Sequence, residues 1–202
     1  DWKDYLPGDT SESLWTDFEG YELLPKVLNP KSGFLQNCNS TPFKTTDGND
    51  NPNPNDFPLK LGIEEYMTNR AHRALEMFGN DLEISKDDIF KYKYDMSYSE
   101  KSAIAQYRDE ILKANFIIKT PVINEALEVL KKWDLNTNPE NEGAALAILS
   151  TKPYLKDYYE TISESELVDN FIKAAKLLKK KYGEIGVSWG KVNRMIRGNR
   201  NL

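Results

Sequence analysis

The chain has 202 residues, of which 39% are hydrophobic, 29% charged and 11% aromatic, with a net charge of −5. That is the make-up of a folded protein rather than a disordered tail, and it is enough chain for one sizeable domain or two small ones. Cys38 and His72 are the only residues of their kinds, which excludes an internal disulfide, a His/Cys zinc site and any triad with a second histidine.

Residues 1 to about 60 read as an extended, irregular leader. Turn formers recur at Pro7-Gly8, Gly20, Pro25, Asn29-Pro30 and Gly33, and the apolar run Tyr21 to Leu28 has the composition of a short strand. Asp47 to Asp56 is a loop by composition. Its spaced Asp and Asn residues suggest calcium, but an EF-hand loop starting at Asp47 needs Gly at its sixth position and Glu at its twelfth. Those places hold Pro52 and Pro58.

From about residue 63 the period turns helical. Ile63, Tyr66, Met67, Ala71, Ala74, Leu75 and Phe78 share a face, and Gly79 comes next as a stop. Ser85 can cap a helix with Asp87 and Asp88 in its first turn, and a further helix is expected from Ser99 to about Asn115. Thr120-Pro121 is a cap and then proline at the first helical position, opening a helix striped by Ile123, Ala126, Leu127, Leu130 and Trp133. Helices are also expected over Pro139 to Ser150, over Ser163 to Tyr182 (with Leu167, Phe171, Ala174 and Leu178 as its core side) and over Trp189 to Ile196, ended by Gly198. The fold class is mainly α: a helical domain over 61–202 behind the leader.

The acidic balance opposes a phosphate-binding face. The local exception is a basic C-terminal end, with Lys173, Lys176, Lys179, Lys180, Lys181, Lys191, Arg194, Arg197 and Arg200. It reads as a solvated helix face and a cationic helix end, since no nucleic-acid recognition motif accompanies it. No apolar run approaches the length of a membrane span, and no signal peptide is visible. The sequence begins at Asp1 rather than methionine, as expected of a processed product or a piece of something longer.

Two features break the pattern. Arg70 falls between Tyr66 and Ala74 within the apolar stripe, and a charge there must be paired, hydrogen-bonded or carried out to water on its stem. A structural ion pair satisfies this, and so does an arginine aimed into a site to organise a polar network or hold a carboxylate. The second feature is Asn29 to Pro42, where turn residues flank a short apolar core and Asn37 and Asn39 alternate. On extended backbone such a pair points to one side. Side-chain amides are neutral donors suited to an oxyanion, and equally they make Asx-turns; chemistry alone leaves the turn reading in place.

The pattern Asn-Pro-x-x-Gly-Phe-x-x-Asn-x-Asn-Ser-x-Pro at Asn29 to Pro42 resembles a hallmark segment of the penicillin and acyl-homoserine-lactone acylases, which are N-terminal nucleophile hydrolases. The downstream segments agree in order: Arg70-Ala71-x-Arg73-Ala74-Leu75, then Ser85-x-Asp87-Asp88, then Ala126-Leu127-x-x-Leu130-x-x-Trp133-Asp134, then Trp189-Gly190-x-Val192-x-Arg194 with Arg197-Gly198. The resemblance covers nearly the whole chain.

The resemblance implies an internal fragment of the large (β) chain of a four-layered αββα acylase. In such enzymes a processed N-terminal Ser, Cys or Thr attacks an amide carbonyl, with its own α-amino group as base. By position Asn39 resembles the oxyanion-donating asparagine, Arg70 the arginine that supports the site, and Asn37 a residue holding the segment's shape. The same resemblance implies small N-acyl substrates, the remaining segments of the same acylase as partners, and a periplasmic or secreted location. It brings no organic cofactor; calcium stays open by analogy as an irregular oxygen-lined site, with no convincing ligand set in the sequence.

Departures are equally specific. Asp1 is not a usable nucleophile, and Cys38 has no base among its neighbours Asn37 and Asn39. His72 should face away from the stripe. Asn193 stands where relatives carry His, and the Glu142-Gly143 stretch lacks an expected Ser. The nucleophile is therefore expected to lie outside this chain, which alone should be inactive. The rival reading is a non-catalytic helical binding or scaffold domain of a secreted protein, with Trp15, Trp133 and Trp189 as packing or ligand platforms.

Overall fold

A computed structural model describes residues 5–14, 16–117, 120–151 and 162–201. Its contacts divide the chain into two units, Asp1–Ser85 and Lys86–Leu202. The first helix lies within the first of these units.

The first unit is built mostly without regular structure, as its proline and glycine content dictates. Single 3-10 turns cover Ser11–Ser13, Tyr21–Leu23, Pro42–Lys44, Pro54–Asp56 and Leu59–Leu61. Two of them open on proline, preceded by a side chain that caps the turn. Thr41 Oγ1 accepts from Phe43 N at 3.3 Å and Asn53 Oδ1 from Asn55 N at 3.1 Å. The run Tyr21 to Leu28 is not the expected strand: no partner pairs with it among the described residues, and its apolar side chains Tyr21 and Leu28 are exposed. A short apolar run without a second strand to pair with has nothing to stabilise it as sheet.

Helix α1 runs Asn69–Gly79, six residues shorter at its start than the period suggests. The Tyr66 carbonyl, which a longer helix would need, accepts from Thr41 N at 3.0 Å instead. Thr68 adopts extended backbone and caps the helix, its Oγ1 accepting from Ala71 N. Ala71 and Ala74 are buried, and Phe34 of the leader packs on Phe78 with ring centroids 5.7 Å apart. With Tyr66 and Met67 off the helix, the buried stripe is centred about a quarter-turn from Arg70. Arg70 is therefore exposed rather than inside an apolar stripe.

The second unit carries α2 (Lys86–Lys93), α3 (Ala103–Lys113), α4 (Pro121–Lys132), α5 (Ala144–Thr151), α6 (Glu164–Tyr182) and α7 (Trp189–Val192). Caps set their starts. Ser102, Thr120 and Ser163 each accept from the backbone N–H three residues on, and Asn141 Oδ1 accepts from Gly143 N and Ala144 N. That last cap explains why α5 starts at Ala144 and not near Pro139.

Helix α5 is the centre, with Ala144, Ala145, Leu146 and Ala147 fully buried and α6 as its principal neighbour. Around it pack Ile104, Ile111, Ile123, Leu130, Trp133, Leu167, Phe171 and Leu178. Its buried hydroxyls bond back along the helix, Ser150 to Leu146 O at 2.7 Å and Thr151 to Ala147 O at 2.9 Å. Gly143 has a steric reason: a Cβ there would lie 2.5 Å from Trp133 Cβ. The chain after α7 does not stay helical to Ile196. Ile196–Arg197 and Arg200–Asn201 pair as a short hairpin, with Gly198 in the left-handed region at φ +58° as a turn residue.

Candidate functional site

The Asn-rich segment sits in the first unit as a tight, clipped turn. Gln36 is its hub. Its side chain is 7% exposed, and its Nε2 donates to Lys44 O at 2.7 Å and Ser40 Oγ at 3.2 Å, while Oε1 accepts from Cys38 N at 3.1 Å. The Gln36 backbone N donates to Thr45 O at 2.7 Å. Behind it, Thr46 Oγ1 donates to Phe34 O at 2.8 Å, and Asn51 closes the next loop, accepting from Thr45 N and Thr46 N and donating to Thr46 O and Gly48 O.

The turn is tied to α1 at two points. Thr68 Oγ1 donates to Cys38 O at 2.8 Å, so the hydroxyl that caps the helix also holds the loop, and Thr41 N bonds Tyr66 O. Between these ties Asn39 takes the left-handed region at φ +54°, which asparagine tolerates better than most residues. Asn37 and Asn39 are accordingly not two side chains on one face of an extended strand, as their alternation suggests.

Asn39 and Arg70 are brought together. Arg70 Nη2 donates to Asn39 Oδ1 at 2.6 Å, with both residues exposed. Arginine offers no acceptor, so the oxygen of the Asn39 amide must face it, and the Nδ2–H₂ group is turned the other way. The cation also polarises the amide, strengthening that outward donor. Among the described residues no carboxylate pairs with Arg70, and the side-chain bond it makes goes to a neutral amide. Its remaining N–H groups make no further bond among the described residues.

Asn37 is exposed and its side chain makes no hydrogen bond among the described residues. The segment's shape is held by Gln36 and Thr68, neither of which stands out by residue type. The available signal was geometric: Gln36 lies two residues before the amide it accepts from, and Thr68 immediately precedes a helix. Cys38 is half-buried with a free thiol. Asp1 and Trp15 lie outside the described residues. Trp133 is a core side chain, 4% exposed, with its Nε1 donating to Asn136 O at 2.9 Å and Tyr98 edge-on at 6.1 Å. Trp189 is half-buried against the same core.

In the Asp/Asn loop Asp50 Oδ2 accepts from Lys31 N at 2.7 Å and Asn51 Oδ1 accepts from two backbone amides. No group of three or more His, Cys, Asp or Glu side chains gathers among the described residues. No described helix is long and apolar enough to cross a membrane.

Burial raises the phenol of Tyr98 above its ordinary value, and does the same at Tyr107 with help from the Glu110 charge. At Arg108 burial pulls the pKa down, but hydrogen bonds and charge from Asp109 and Glu100 more than offset it. All three groups belong to the second unit, and the Asn39–Arg70 pair to the first. A model of the penicillin amidase family matches residues 2–198.

Proposed function

The chain belongs to the penicillin amidase family, an amide-hydrolase lineage, and from that premise we propose that it is an internal segment of the large chain of an acylase that cleaves linear C–N amide bonds of small N-acyl compounds. Penicillins and acyl-homoserine lactones exemplify that substrate class. The nucleophile, an N-terminal Ser, Cys or Thr, comes from outside this chain. It attacks the amide carbonyl, the C–N bond breaks as the amine leaves with a proton relayed by the α-amino group, and water then releases the acyl group as an acid.

In this scheme Asn39 Nδ2–H donates to the oxyanion that develops on the carbonyl oxygen, and Arg70 fixes the amide's orientation from α1. Asn37 has no bonding role of its own in the scheme. The observation that carries the proposal is the 2.6 Å bond from Arg70 Nη2 to Asn39 Oδ1 at an exposed position. It supports a donor held ready for a ligand, because the guanidinium orients an amide that no other described residue uses. The rest of the acylase supplies the sheet and the acyl pocket as partner segments, in the periplasm or outside the cell, without an organic cofactor.

The scaffold alternative has less support, since Trp133 is spent on packing and Arg70 is neither buried nor salt-bridged among the described residues. The test is Asn39→Ala in the full-length acylase, assayed on N-acyl anilides of varied acyl chain. Turnover should fall about a hundredfold to a thousandfold; hydrolysis at the wild-type rate would rule the assignment out.

A further inference from the structure

The oxyanion donor proposed above sits on a backbone turn whose conformation is not its own doing. Asn39 is exposed and left-handed at φ +54°, so its position depends on what holds the peptide groups on either side. Both polar backbone groups of Cys38, the residue before it, are accounted for. The N–H donates to Gln36 Oε1 at 3.1 Å and the C=O accepts from Thr68 Oγ1 at 2.8 Å. Thr68 is an N-cap and would be needed by the helix in any case. Gln36 is different: a polar side chain 7% exposed, whose amide is filled on both ends by the turn itself, at Cys38 N, Ser40 Oγ and Lys44 O.

Burying an amide is favourable only when its hydrogen bonds are made, and a filled one then permits a single geometry. Gln36 is also anchored at its own backbone by Thr45 O, so the side chain reaches from a fixed base across to the far side of the turn. We infer that Gln36 is a positioning residue for catalysis: through Cys38 and Ser40 it sets where the Asn39 amide stands relative to Arg70 and the reacting carbonyl. It touches neither substrate nor nucleophile. This inference rests on the oxyanion reading of Asn39.

Three variants of the full-length acylase test it, with kcat, KM and thermal midpoint read on the same N-acyl anilide. Gln36→Met keeps length and volume but removes every side-chain hydrogen bond. It lowers kcat about tenfold to a hundredfold, the cost of misplacing a group by about 1 Å, with KM within about twofold. Gln36→Glu keeps an acceptor for Cys38 N–H and loses the donors, so its kcat falls between Met and wild type. Asn51→Ala strips an equally connected hub from the adjacent loop and lowers the midpoint without that loss of kcat.

Wild-type kcat in Gln36→Met overturns the inference, and so does an Asn51→Ala variant that loses as much turnover. If Gln36→Met does not fold, Gln36→Glu decides alone: a several-fold lower kcat at constant KM supports positioning, and an unchanged kcat refutes it. Asn39→Ala run in parallel separates the two readings. Active Asn39→Ala removes the donor and with it anything to position, whereas inactive Asn39→Ala with unaffected Gln36 variants refutes positioning alone.

Discussion

Thr68→Val exchanges one hydroxyl for a methyl and keeps the shape of a side chain that is 8% exposed. That hydroxyl has two jobs: it caps α1 by accepting from Ala71 N at 3.2 Å, and it donates to Cys38 O at 2.8 Å. Loss of an N-cap costs about 1 kcal/mol. Leaving a part-buried carbonyl without its donor costs about another 1 kcal/mol. The sum, about 2 kcal/mol, corresponds to roughly thirtyfold faster opening. Hydrogen exchange at the amides of His72 to Phe78 should report it directly, since exchange tracks the local opening free energy. Thr68→Ser keeps both bonds and should exchange nearly as wild type. Exchange in Thr68→Val within about threefold of wild type, or Thr68→Ser as fast as Val, would show that the hydroxyl does not tie the turn to the helix.

Gly143→Ala forces a Cβ to within 2.5 Å of Trp133 Cβ and 2.9 Å of its Cγ. Urea unfolding should show about 1–3 kcal/mol of lost stability, and an unchanged midpoint would mean the α4–α5 junction yields freely. Tyr98 gives a pH dependence. Its folded pKa is raised by burial, so the neutral phenol's contribution is complete below the unfolded value of about 10. It is lost as pH rises through the higher folded value. Thermal midpoints between pH 8 and 11 should therefore fall more steeply in wild type than in Tyr98→Phe, and identical slopes would contradict the assignment.

Much of the helical unit was legible because local chemistry and packing agree there. Thr120-Pro121 and Ser163 open helices where cap signals predict them, and Ile123, Ala126, Leu130, Leu167, Phe171 and Leu178 are buried as their periodicity requires. Sequence and structure part where a competing hydrogen bond wins. The α1 stripe reads as helix from residue 63, but Tyr66 O is taken by Thr41, a partner 25 positions earlier that periodicity does not reveal. Asn141 capping moves α5 in the same way, and a glycine expected to end α7 instead turns a hairpin.

At the site, the pairing of Asn39 with Arg70 was reachable only through family resemblance. A charge inside an apolar stripe presupposes a helix that starts too early; Arg70 is exposed and bonded for another reason. Gln36 and Thr68 escape notice in the sequence because hydrogen-bond hubs depend on long-range approach, and a single glutamine or threonine has no pattern to betray it.

The central claim is that Asn39 acts as a donor and not merely as a partner for Arg70. Asn39→Asp isolates the difference, since the carboxylate keeps the shape, still accepts from Arg70 Nη2, and replaces the outward Nδ2–H₂ with an acceptor. Single-turnover acylation of the full-length enzyme should fall in Asn39→Asp at least as far as in Asn39→Ala, about a hundredfold or more. Near-wild-type acylation in Asn39→Asp, with Asn39→Ala impaired, would mean that the Arg70 contact alone matters and that Asn39 donates nothing to the reaction.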